Sequence, residues 1–242
     1  MSAPGGRAAV VTGGSRGIGR AIVERLARDG ADVVFSYAGN KGAAAEVAEA
    51  TGAFAVQADL TDPGAAERLL ETALERQGAL DVLVASAAVG FEPAAIADTS
   101  LEEFDRVMAG NARSAFAALR FAARTMRDGG RIVLLSTVNT VRPGPGIAPY
   151  AASKGAIEQL AAIAALELGE RGITVNCVSP GATDTDLLRS TNPPEALEQI
   201  SRITALRRLG TPSDIADVVA LLVSPDGRWI TGQNIRATGG LV

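Results

Sequence analysis

Apolar and polar positions alternate along this chain in two rhythms. Short apolar runs (RAAVVTG, ADVVFSY, AFAVQADL, LDVLVASAA, GRIVLLST, GITVNCVSPG, ITGQNIRAT) alternate with longer segments of helical periodicity, such as GRAIVERLARDG, AAAEVAEATG, DPGAAERLLETALERQG and SLEEFDRVMAGNARSAFAALRFAARTM. The runs predict strands that are apolar along their length and so need cover on both faces. That is the mark of a parallel sheet between two helix layers. No linker, repeat or change of composition divides residues 1–242, so the expectation is one doubly wound α/β domain. The rhythm fails only over about 182–207, where two prolines and mixed polarity predict a loop with a short helix. Its place after a strand predicts a substrate-binding insertion, because such loops border the ligand crevice.

Composition narrows the chemistry. The 242 residues are 47% hydrophobic, enough for a sizeable core, and carry a formal charge of −4 with no long run of one sign. Neither a nucleic-acid footprint nor a basic membrane patch is expected, and no run of some 18 apolar residues predicts a membrane span. No secretory leader is recognisable in MSAPGGRAAVVTGG, so a cytoplasmic location is expected. Cys177 has no partner for an intrachain disulfide and reads as a core residue. The absence of histidine removes Ser-His-Asp triads and the usual zinc sites, and no metal site is expected.

Candidate chemistry starts at TGGSRGIG, residues 12–19, which follows the first strand and opens the first helix. A glycine turn in that setting can seat a pyrophosphate on a helix N-terminus, which makes Gly13, Ser15, Arg16, Gly17, Ile18 and Gly19 candidate cofactor contacts. The second strand ends in Tyr37 with no acid before Glu46, so nothing there would repel a 2′-phosphate. Ser36, Asn40, Arg16 and Lys41 could hold one, with Tyr37 beside them, which favours NADP(H) over NAD(H). Asp59, followed by Leu60 at the end of the third strand, could accept from an adenine amine, while Asp62 before Pro63 could cap the next helix.

Scarcity marks the second candidate. The chain has two lysines, Lys41 and Lys154, against 21 arginines, and two tyrosines, Tyr37 and Tyr150. In YAASKGAIEQL the rare pair falls four residues apart, on one helix face. A phenol with an ordinary pKa near 10 is a poor acid or base at neutral pH, and a fixed ammonium nearby would lower it. Lysine suits that task because it is a compact point charge that can also donate to ribose hydroxyls.

Together TGGSRGIG, YAASK, NCVSPGATDTDL and ITGQNIRATGG resemble the short-chain dehydrogenase/reductase family over essentially the whole chain. The resemblance implies a Rossmann-type domain with a seven-stranded parallel sheet, hydride exchange with a nicotinamide, and a homotetramer or homodimer. It assigns Tyr150 as proton donor or base and Lys154 as its modulator and ribose ligand. Asn111 is the helix asparagine that helps hold a relay water, and Pro180, Gly181, Thr183 and Thr185 close over the cofactor. Two positions depart from the family pattern. Ala85-Ser86-Ala87-Ala88 replaces NNAG, losing a strand-tying asparagine while Ala87 stays small enough for a dinucleotide to approach. Family spacing places the carbonyl-polarising hydroxyl at Thr137, with Ser136 before it. Since neighbouring strand side chains point to opposite faces, only one should face the substrate, and register favours Thr137. The resemblance is nearest to ketone reductases of the 3-oxoacyl carrier-protein reductase type. A secondary-alcohol, steroid or sugar dehydrogenase and a catalytically silent NADP-binding regulator stand as alternatives.

Overall fold

A computed structural model describes residues 6–242. Seven parallel strands form one sheet: β1 (Ala8–Thr12), β2 (Asp32–Tyr37), β3 (Phe54–Gln57), β4 (Val82–Ala85), β5 (Arg131–Leu135), β6 (Thr174–Pro180) and β7 (Asn234–Ala237). Their order is β3-β2-β1-β4-β5-β6-β7. The chain winds outward from β1 in one direction and then crosses back to β4, which leaves a crevice beyond the carboxyl ends of these two strands.

Both sheet faces are covered, as the apolar runs predict. Val10, Val34, Leu83, Leu134 and Val175 point to one face, under α3 (Ala65–Gln77), α5 (Ser114–Thr125) and α6 (Ala148–Leu168). Val11, Phe35, Val84, Val133 and Val178 point to the other, under α1 (Gly17–Arg28), α2 (Lys41–Thr51) and α9 (Pro212–Val223). The edge strand β3 departs from the pattern, with Phe54 exposed and covered on its ring face by the Arg76 guanidinium, 4.3 Å from the centroid.

The long periodic segment from Ser100 is not one uniform helix. Ser100 caps α4 (Leu101–Met108), a π-helical turn follows at Ala109–Arg113, and α5 continues from Ser114. The extra residue in that turn shifts the helix face at Asn111, a device common at functional positions. Residues 182–207 form two short helices, α7 (Asp186–Thr191) and α8 (Pro194–Ile203), which begin at a Thr185 cap and at a proline in the first turn. Asp62 does not cap the following helix: Gly64, in the left-handed region, precedes α3, while the Asp62 carboxylate pairs with Arg68 at 2.5 Å. Among the described residues no helix is long and apolar enough to cross a membrane, and no cluster of three metal-ligating side chains occurs.

Candidate active site

A cleft of about 500 Å³ lies along the carboxyl ends of β1, β2, β4, β5 and β6. At one end is the glycine turn. Gly13 and Gly17 have positive φ, and a Cβ on Gly13 would lie 2.8 Å from the Ala87 Cα. Gly19 is more constrained still, since a Cβ there would come within 2.1 Å of the Gly13 carbonyl oxygen. The glycines therefore let the turn, the helix and the strand after it close upon each other. The first turn of α1 has no side-chain cap and no acidic residue, so its amide groups and the positive end of its dipole face the cleft. These are the features a pyrophosphate requires, and the site fits a dinucleotide.

Further along, Arg16 stands exposed at the rim, and Tyr37, Asp59 and Leu60 line the wall. Asp59 accepts from the Thr61 amide at 2.9 Å and the Thr61 hydroxyl at 2.7 Å, and these bonds hold its carboxyl below the usual range. Ser36 is less available than its position suggests, because its oxygen accepts from the Gly13 amide at 3.0 Å. Asn40 is outside the cleft lining and spends its side-chain oxygen capping α2 at the Ala43 amide, 3.0 Å away. Lys41, the first residue of α2, is exposed beside it.

Two side chains tie down the loop after β4, where Ala85-Ser86-Ala87-Ala88 stands. Thr12 Oγ1 accepts from the amides of Ser86 at 3.1 Å and Ala87 at 3.0 Å, joining β1 to the loop after β4. Asn111, fully buried in the π turn, accepts from the Val89 amide at 2.9 Å and donates to Ser153 Oγ at 3.0 Å. Ser153 in turn donates to the Tyr150 carbonyl at 2.8 Å. The Asn111 side chain thus links the loop after β4 to α6 rather than lining the cleft.

At the other end, Tyr150 and Lys154 project from the first turns of α6, which starts with Pro149 inside its first turn. Lys154 is fully buried, donates to the Leu135 carbonyl at 2.8 Å, and lies 5.9 Å from the Tyr150 ring centroid. Burial lowers its pKa to about 8. The Tyr150 phenol is raised, not lowered: burial dominates, and the Thr137 hydroxyl facing it pulls more weakly the other way. The expectation that Lys154 brings this phenol down is therefore corrected for the free site. The ammonium is turned to a carbonyl, and burial makes its proton easier to lose than that of an ordinary lysine.

Ser136 and Thr137 diverge as strand alternation requires. Ser136 continues the pairing of β5, its amide bonding to the Val178 carbonyl at 2.8 Å, while Thr137 stays extended at φ −160° and ψ 152° before a 3-10 turn. Ser136 Oγ turns to Glu158 on α6, and Thr137 faces the phenol. Thr185 caps α7 and lies against Gly17, and Pro180 lines the cleft. Gly181 and Thr183 do not; they pack towards Thr238 and Gly210 around a second hollow. Sequence reasoning missed Phe91, whose ring stacks on Tyr150 at 4.9 Å between centroids, and Glu158. No motif marks Phe91, and a glutamate inside a helix reads as a solvated residue.

A glycine turn at the switch point of a parallel sheet, reaching along one cleft to a buried lysine and tyrosine, defines a dinucleotide-dependent oxidoreductase. Comparison with known proteins agrees. The family model described as enoyl-(acyl carrier protein) reductase matches residues 13–242. The cyclic-di-GMP-binding biofilm dispersal mediator protein of Escherichia coli (strain K12) is 40% identical over 233 residues, covering 96% of this chain and 95% of that protein. A short chain dehydrogenase from Burkholderia cenocepacia J2315, solved in complex with NADP, is 40% identical with a TM-score of 0.92 over 98% of each chain. The angucycline C-6 ketoreductase LanV, solved with bound NADP, is 44% identical with a TM-score of 0.91 over 98% of this chain and 96% of that one. The chain belongs to the short-chain dehydrogenase/reductase family, the NAD(P)-dependent oxidoreductases.

Proposed function

We propose that the protein is an NADPH-dependent ketone reductase with Tyr150 as its proton donor. The observation that carries this reading is the convergence of two hydroxyls, those of Thr137 and Tyr150, in front of the buried Lys154. The glycine turn and the N-terminus of α1 would hold the pyrophosphate of the cofactor, and Arg16, with Lys41, its 2′-phosphate. NADPH, when bound, supplies the hydride. Thr137 and Tyr150 hold the carbonyl oxygen, and Tyr150 delivers its proton to the oxygen as negative charge develops there. The phenol is protonated at neutral pH, as an ordinary tyrosine is, and that is the state a donor needs. Lys154 favours the phenolate left behind and is poised, near pH 8, to help return the proton. The NADP-bound relatives, one of them a ketoreductase, support the choice of cofactor and of reaction.

Titration with NADPH and NADH, followed by absorbance assays with β-ketoesters, diketones, ketosteroids and quinones, tests this reading. NADPH turnover that falls by about 10²-fold or more in Tyr150→Phe is the expected result. A preference for NADH would overturn the roles given to Arg16 and Lys41. The relative named as a cyclic-di-GMP-binding mediator supports a second reading, a nucleotide-binding regulator. That reading predicts cofactor or cyclic-dinucleotide binding with no oxidation of NADPH by any ketone. Exposed Ile163 and Leu166 on α6, with Phe116 on α5, support self-association through these helices. Sedimentation of a monomer at micromolar concentration would refute it.

A further inference from the structure

At the end of β5, where Ser136 borders the cleft, hydroxyls converge on one carboxylate oxygen. Glu158 lies one turn after Lys154 on α6, and its Oε1 accepts from Ser136 Oγ at 2.6 Å and Thr140 Oγ1 at 2.7 Å. Ser179 Oγ is 3.3 Å away, but it sits closer to Asn234 Oδ1, at 2.7 Å. Among the described residues no lysine or arginine pairs with Glu158, so this half-buried carboxylate depends on hydroxyl donors for its compensation. Bonds from hydroxyls to an ionised carboxylate are short and strong for their type. The two principal donors bracket Thr137, and the Thr137 carbonyl, 3.0 Å from Thr140 Oγ1, competes with the nearer Glu158 for the single proton of that hydroxyl.

We infer that Glu158 is a positioning residue that clamps the 136–140 turn and thereby assigns the two adjacent hydroxyls. It accepts the Ser136 hydrogen bond on the α6 side and holds the turn so that Thr137 is the hydroxyl facing Tyr150. The inference rests on the reductase reading for its kinetic consequence, though not for its geometry. Glu158 needs no contact with substrate or cofactor. It acts through Thr137, and what it requires is an oxygen acceptor at Oε1, which glutamine can supply and alanine cannot.

The experiment compares Glu158→Ala and Glu158→Gln in the full chain by ketone-reduction kinetics, NADPH binding, and NMR of protein labelled with [13Cζ]tyrosine. Only two tyrosines are present, and the signal missing in Tyr150→Phe belongs to Tyr150. In Glu158→Ala, kcat is expected to fall by about 10- to 100-fold, the size of effect that misplacing a reacting group produces, with NADPH affinity held within about threefold. The Tyr150 signal should move while the Tyr37 signal stays, and Glu158→Gln should restore both kcat and signal. An unmoved Tyr150 signal in Glu158→Ala, an undiminished kcat, or a glutamine variant as impaired as the alanine one would overturn the inference. The two readings fail separately: absence of turnover in the unaltered protein sinks the reductase reading, whereas the NMR comparison, made without substrate, decides the clamp.

Discussion

Replacing Lys154 by methionine should make the cofactor-free protein more stable while removing its activity. The ammonium is fully buried, with one carbonyl as partner, and burial takes its pKa from an ordinary 10.5 to about 8. At about 1.4 kcal/mol per pH unit, that fall amounts to a penalty of about 3 kcal/mol on the folded state at neutral pH. Methionine has similar length and no charge to desolvate, but it leaves the Leu135 carbonyl without its donor, at a cost of about 1–2 kcal/mol. The net expectation is a gain of about 1–2 kcal/mol at pH 7, or about 4 °C in Tm for a chain of this size. The sign of the pH dependence follows from the direction of the shift. Between about pH 8 and 10.5 the unfolded chain binds the lysine proton more tightly than the folded one, so the penalty fades as pH rises through that window. Urea unfolding of both proteins at equal concentration, at pH 7 and again near pH 10, should show the methionine advantage shrinking or reversing at the higher pH. A variant less stable at pH 7, or a difference independent of pH, would refute the reasoning.

Three further outcomes are expected. Gly19→Ala places a methyl within 2.1 Å of the Gly13 carbonyl oxygen, and because a backbone atom cannot step aside cheaply, NADPH affinity should drop by about 10²-fold; a Kd within about twofold of wild type would show that the turn can open. Thr12→Val keeps the shape but leaves the Ser86 and Ala87 amides without their acceptor, for a loss of about 2 kcal/mol in urea unfolding and faster hydrogen exchange at those two amides, and unchanged exchange would count against the tie. With saturating NADPH, ketone reduction should decline at or above pH 8 as Lys154 loses its proton, and the decline should disappear in the residual activity of Lys154→Arg, whose guanidinium stays charged; the same decline in both would remove Lys154 from the pH profile.

What could be read from the sequence, and what could not, divides along the range of the forces involved. The strands were legible because full apolar runs have one economical use, and the glycine turn because positive φ and close approach tie residue type to a place. Tyr150 and Lys154 were legible as neighbours because helical periodicity sets their spacing. The direction of their coupling was not, since it depends on the Leu135 carbonyl and on the burial that both groups share, neither of which is local in sequence. The same holds for the departure at Ala85-Ser86-Ala87-Ala88. A lost asparagine reads as a lost tie, yet Thr12, more than 70 positions earlier, and Asn111, over 20 later, satisfy the amides of that loop. Strand alternation showed that Ser136 and Thr137 must part company, and left open what holds them apart. That answer lies on α6, where Glu158 is one helical turn from Lys154 and within hydrogen-bond reach of the turn that carries Thr137. One helix therefore presents Tyr150 and Lys154 on its cleft side and, a turn later, the carboxylate that holds the hydroxyls of Ser136 and Thr140. Any shift of α6 against β5 would move all three groups together, keeping their mutual geometry while changing their distance from a bound dinucleotide.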